Sequence, residues 1–197
     1  MRLSLRGRRR REGLPKSVED AVVLGRGETL LNGAADLDGT AWLVATNHSL
    51  AHVSPEGTLV WQRPWHEIDH GSWSRESDLL TVTWVDRGRP GQWRFGEEQL
   101  FLRTLRERVQ ASVVLSEELP LSGRRTGRAV IRQDLATGHL LEQVVLGRGV
   151  RADDEVERAS AVALDWLREQ VGMPSRPSPP SPPSPSSPSS PSVPPAA

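Results

Sequence analysis

The sequence predicts an α+β fold: a seven-stranded, half-open β barrel or sandwich capped by a helix, followed by a small ββα unit. Three observations carry this. From Glu28 to Phe95 apolar residues recur with period two in short runs separated by turn residues. From Glu97, and again from Asp153, they recur at three and four residues instead. Both ends of the chain are too charged or too rich in proline to enter a core. Setting those ends aside leaves roughly 155 residues, enough for a real core.

The elements follow in order. Residues 1–15 form a basic arm, with Arg2, Arg6 and Arg8 to Arg11, expected to be disordered because its charges repel one another. Residues 16–27 hold a short helix and linker, with Val18, Val22 and Val23 near one face and Gly25 to close it. Thr29 to Leu37 and Thr40 to Asn47 make a hairpin over Asp38-Gly39, a step that supplies the positive φ a tight turn needs. Ser49 to Val53 and Thr58 to Gln62 follow, then Pro64 to Trp73. Leu80, Val82 and Trp84 alternate on a half-buried strand, and Trp93 and Phe95 on the next.

A helix from Glu97 to about Leu115 carries the stripe Phe101, Leu102, Leu105, Val109 and Val113, with Glu97 and Glu98 at the positive end of its dipole. One helix after seven antiparallel runs is the order in which a half-closed barrel has an open end plugged. Residues 116–127 read as a linker. Residues 128–171 read as the ββα unit: a hairpin of Arg128 to Asp134 with His139 to Leu146, then a helix from Asp153 to Val171. So small a unit must pack on the first domain or on a second copy of the chain. Residues 172–197, nearly all Pro and Ser, form an extended tail.

Composition narrows the function. With no Cys there is neither a thiolate nucleophile nor a thiolate metal site, and Tyr is absent as well. Basic charge rests on 24 Arg and the single Lys16. Within residues 1–17 seven basic groups face only Glu12, whereas the remaining 180 residues carry 18 Arg against 24 acids, so the body is mildly acidic. No apolar run reaches membrane-spanning length, and the Arg cluster is followed by Glu12, Gly13 and Pro15 rather than by a signal sequence's apolar stretch, which makes the cytoplasm the expected location.

Several motifs invite chemistry. His66-Glu67-Ile68-Asp69-His70 spells HExxH, which on a helix presents two imidazoles to zinc and a glutamate to the bound water. Pro64, Gly71 and β-type flanks leave no room for that helix, and on a strand the two histidines stand ~13 Å apart, too far for one metal. A zinc-dependent hydrolase through His66, Glu67 and His70 is therefore the alternative, and the strand is the leading reading. His48 and His52 join them in a loose cluster with no carboxylate locked to it by spacing. Gly147 to Ala152 fits GxGxxA, but no strand follows its helix to complete a βαβ unit. VVLGRG occurs at Val22 to Gly27 and at Val144 to Gly149 with different flanks, which argues against a repeat. Trp84 and Trp93 alternate as core aromatics do, whereas Trp61, Trp65 and Trp73, where exposed, would anchor a partner.

The order of elements from about 28 to 115 resembles bacterial pleckstrin-homology-like domains. The residues that carry the likeness are Trp42 to Leu50, similar to a recurrent hairpin of that family; Pro64 to Asp69, similar to its Pro-Trp strand; Leu79 to Trp84; and the helix ending Leu105 to Val109. The resemblance implies a binding or scaffolding module; with so sparse an inventory of catalytic groups, the expected role is a non-enzymatic cytoplasmic module with a protein partner, no cofactor and no metal. Relatives that hold phosphoinositides use Lys and Arg around the first hairpin loop. Here that loop is Asp36-Leu37-Asp38-Gly39, so no phosphoinositide pocket is expected. A further alternative is a binder of anionic membrane or nucleic-acid surfaces through Arg8, Arg9, Arg10 and Arg11, with peripheral membrane contact favoured over nucleic acid.

Overall fold

The computed structural model describes residues 13–96 and 99–174. The Arg arm up to Glu12, the pair Glu97 and Glu98 expected to open the second helix, and the Pro/Ser tail from Ser175 lie outside the described residues. What is described is an α+β fold of three antiparallel sheets with a C-terminal helix.

The first sheet runs in chain order: β1 (Leu30–Ala35), β2 (Trp42–Thr46), β3 (Ser49–Val53) and β4 (Leu59–Pro64). Asp36 sets the β1–β2 corner. Its carboxylate accepts from the Thr40 hydroxyl and from the Arg94 backbone N–H at 2.8 Å, while Gly39 takes φ 69°. The acidic first loop is thus partly structural, with Asp36 buried and Asp38 paired to Arg94 at 3.4 Å. On the outer face, Val18 of α1 (Lys16–Ala21) and its C-cap Val22 lie on Val44, Ala51 and Val53, and Leu14 joins them. Leu14 and Pro15 therefore belong to the fold rather than to the arm, and Pro15 accepts the first turn's N–H groups.

The second sheet is β5 (Ile68–Ser74), β6 (Leu79–Trp84) and β7 (Gly91–Arg94). The seven strands therefore divide four and three between separate sheets and do not close into a barrel. The stretch expected as one strand, Pro64 to Trp73, is split by a single 3-10 turn, Trp65–Glu67. The reason is the Trp65 indole, which is 0% exposed and donates to the Thr46 carbonyl at 3.0 Å; placing it inside turns the chain from the first sheet to the second. Leu43, Leu50, Trp65, Ile68, Leu80, Val82 and Phe95 form the core between the sheets. α2 (Gln99–Ala111) adds Phe101 and Leu105, and Gly71 lets it approach, since a Cβ there would stand 2.7 Å from the Leu105 side chain.

The helix ends four residues before the expected Leu115. Ser112 is buried and its hydroxyl bonds the Val109 carbonyl at 2.7 Å, after which the β-branched Val113 and Val114 open β8 (Val113–Glu118). β8 pairs with β9 (Gly127–Gln133), which pairs with β10 (Leu140–Leu146). The expected linker thus holds half a strand, and the ββα unit is a βββα unit. α3 (Asp154–Val171) covers one face with Ala163, Leu164 and Leu167 against Leu119, Ala129 and Ile131. Gly172 closes α3 at φ 70°, Met173 packs into the same core, and Arg168 holds the Pro174 carbonyl.

Candidate functional site

The HEIDH stretch lies where the first two sheets meet the third. One turn ends at Glu67 and His70 stands in β5, so the single helical face that HExxH chemistry needs is absent. Each residue has another occupation. The Glu67 carboxylate accepts from Arg63 at 2.8 Å, and Arg63 in turn pairs with Asp86 and lies over the Trp84 ring at 4.6 Å. Ile68 is in the core, while His70 is exposed beside Thr83. The His66 carbonyl accepts from Gln143 of β10 at 2.9 Å, and its buried Nδ1 stands 3.9 Å from the Asp134 carboxylate. Hydrogen bonds from Ala136 and Thr137, helped by His66 and His139, outweigh burial and hold the Asp134 carboxyl below its ordinary range.

Asp69 is the centre of this seam. Its carboxylate pairs with Arg128, and its carbonyl faces Arg132 at 3.4 Å. Arg132 is 1% exposed and donates to Ser112 at 2.9 Å; burial pushes its guanidinium pKa down, with Asp69 opposing the shift. Strand alternation explains the arrangement: Ala129 and Ile131 face α3, so Arg128, Val130 and Arg132 present the other face of β9 to β5. The third sheet therefore packs on the first unit of its own chain.

The other expected sites disperse. His52 is wedged edge-on between Trp61 (5.3 Å) and Trp93 (5.8 Å), where burial lowers its pKa, and His48 stands at the opposite end of β3. Among the described residues no group of three or more His, Cys, Asp or Glu could hold a metal. The N-terminus of α3, which a GxGxxA fingerprint would offer to phosphate, is occupied by its own cap: Asp153 accepts from the Val156 N–H at 3.0 Å, and Arg125 bridges Asp153 and Glu155. Of the tryptophans, Trp84 and Trp93 are core as expected. Trp61 and Trp73 are half-buried against that core, and Trp65, wholly inside, has no surface to offer. Arg8, Arg9, Arg10 and Arg11 lie outside the described residues. An exposed aromatic does exist elsewhere: Trp166 (47%) with Val162 (72%), four residues apart on α3 and off the stripe that faces the sheet.

What the packing of the third sheet on β5 and β6 creates is a cleft of about 860 Å³. Its apolar wall is Trp84, Pro90, Val145 and Leu146; its charged groups are Arg87, Arg128 and Arg148 with Asp69 and Glu118. Local geometry builds two of its edges. At one, Arg87 adopts φ 60°, held between an N–H bond to the Trp84 carbonyl and the Asp86 carboxylate on the Gly88 N–H. At the other, Gly147 bonds the Thr126 carbonyl at 2.8 Å and Gly149 takes φ 77°. Gly147 is required there, because a Cβ would fall 2.1 Å from the Thr126 hydroxyl.

Of this lining the sequence singles out Asp69, Trp84 and Val145 to Gly149, each for another role, and leaves Arg87 and Arg128 unmarked. Arg87, Arg128 and Trp84 come together through contacts between sheets far apart in the chain. No helix among the described residues is long and apolar enough to cross a membrane. No protein-family model matches the chain, nor does any curated protein or solved structure.

Proposed function

We propose that the chain is a non-enzymatic, protein-binding module of the pleckstrin-homology-like kind, and that its partner seats in the cleft between the second and third sheets. The observation that carries the reading is the cleft itself, whose volume of about 860 Å³ falls in the range of ligand sites and whose wall combines a tryptophan, a proline and aliphatic groups with a few charges. That mixture suits side chains of a protein segment. The lining contains no His, Lys, Ser or Tyr; the Thr83 hydroxyl is turned to Asp69 and the His70 carbonyl, and of the two carboxylates Asp69 is tied to Arg128, so a nucleophile with an adjacent base is not assembled there. The order of four strands, three strands and a helix plugging their common core supports the family reading. Asp36 and Asp38 in the first hairpin loop weigh against phosphoinositide binding there.

The test is affinity capture from native cells with the full chain and with Pro90→Trp, which places a large ring in the cleft without removing a backbone donor. A partner retained by the wild-type chain and reduced by roughly tenfold or more with the variant supports the seat, given the usual weight of a central interface residue. Equal capture by both chains, with both folded by circular dichroism, refutes it.

A further inference from the structure

The cleft's charge points to what it holds. We infer that it binds an anionic group, a carboxylate or phosphate borne on the partner's segment, through Arg87 and Arg148; this rests on the cleft being the binding seat. Within the lining Arg128 and Asp69 neutralise one another, leaving Arg87 and Arg148 against Glu118. Among the described residues neither Arg87 nor Arg148 has an ion-pair partner, and both are exposed. This positive surplus runs against a body in which 24 acids outnumber 18 Arg beyond residue 17.

Two further features lead the same way. In the Gly147–Val150 turn the Val150 N–H returns to the Gly147 carbonyl, while the N–H groups of Arg148 and Gly149 donate to nothing among the described residues. Successive unpartnered N–H groups beside a guanidinium are suited to anion oxygens. At the facing edge, Arg87 occupies the left-handed region although it has a Cβ and Gly88 follows it directly. Among the described residues the other non-glycine one with positive φ, Asp78, is of a type that tolerates that conformation; arginine is not. An unfavourable backbone kept under a charged side chain at a cleft is the pattern of a residue held for its contact. The apolar wall of Trp84, Val145 and Leu146 then takes the residues flanking the charge.

The experiment titrates the full chain, labelled for amide NMR, with blocked tripeptides Leu-Asp-Leu, Leu-phosphoserine-Leu and, as the uncharged control, Leu-Asn-Leu. The two charged peptides should shift the Arg148 and Gly149 amides saturably and bind at least about tenfold more tightly than the control, the usual weight of a charge-assisted hydrogen bond. Their ratio tells carboxylate from phosphate. Arg87→Gly/Arg148→Gln should abolish the difference, and the glycine suits its backbone, so loss of folding does not confuse the result. Glu118→Gln should tighten both charged peptides. Equal binding of all three, or charged binding that survives in the double variant, overturns the inference. The two failures separate: a partner lost with Pro90→Trp but kept by the double variant overturns the anionic seat alone. Charged tripeptides bound by a chain that captures no partner overturn the protein-binding reading alone.

Discussion

Replacing Asp69 by Asn tests how the third sheet is fastened. The change keeps the shape of the side chain and removes its charge. Asp69 is 19% exposed and faces Arg128 at 35%, so the pair is screened only in part, and its loss costs about 1 kcal/mol. A second cost falls on Arg132, whose buried guanidinium has Asp69 as its compensating charge. Uncovering a buried charge costs more than the pair itself contributes, so the total should reach about 2–4 kcal/mol. Urea unfolding followed by tryptophan fluorescence and circular dichroism measures it. The decisive comparison is made in an Arg132→Met background, where the buried charge is gone and an apolar chain of similar volume fills its place. There Asp69→Asn should cost only about 1 kcal/mol, a coupling of roughly 1–3 kcal/mol between two residues in one network. The same cost in both backgrounds refutes the claim that Asp69 compensates Arg132.

Three other outcomes are expected. Glu28 receives hydrogen bonds from Ser49, Thr46 and the Gly25 N–H, which together outweigh burial and lower its pKa, so it stabilises the fold above the ordinary carboxylate range and that stability is lost as pH falls below about 4; Glu28→Gln should flatten this acid limb in a pH series of thermal melts. His52 also has a lowered pKa, through burial, so between its folded and unfolded values the unfolded chain binds the extra proton and stability should fall as pH drops below about 6.5; His52→Gln should remove that slope. Deleting residues 1–12, which leaves Leu14 and Pro15 in place, should weaken co-sedimentation with anionic vesicles at low salt if the Arg arm makes the contact, since each Arg near such a surface contributes about 1 kcal/mol; unchanged sedimentation would exclude it.

Where local pattern decides structure, the sequence was legible. Leu80, Val82 and Trp84 alternate because one face of β6 is buried, and Asp38-Gly39 turns because Gly39 supplies a positive φ. Where partners are distant, it was not. Val113 continues the i+4 stripe of Phe101, Leu105 and Val109, so nothing local says that the helix stops; what stops it is pairing of Val113 with Arg132 and the Ser112 hydrogen bond. β8 is an edge strand in which only Leu115 is even half-buried, so it has no buried face for alternation to flag. Pro64 and Gly71 did signal that HEIDH could not be a helix, but the seam it forms with Arg128, Gln143 and Asp134 depends on residues some 60–80 positions away. The cleft follows from that docking and inherits its obscurity. Trp166 and Val162, in contrast, are legible as exposed from helical spacing alone, since Val156, Ala163 and Leu167 mark the opposite, buried face.

The seam has a thermodynamic consequence. Trp65, Ile68 and Phe95 belong to one apolar cluster and Ile131, Leu164 and Leu167 to another, and what joins them is the Asp69–Arg128 ion pair, the Gln143 hydrogen bond and a few apolar side chains, Leu135 among them, that reach the first cluster. Such a molecule should open in stages, the C-terminal unit parting from the rest before either core melts, so amide exchange would be faster along the joint than inside either body. The cleft walls stand on opposite sides of that joint. Ionic strength should then act on the width of that cleft, independent of any change in the residues that line it.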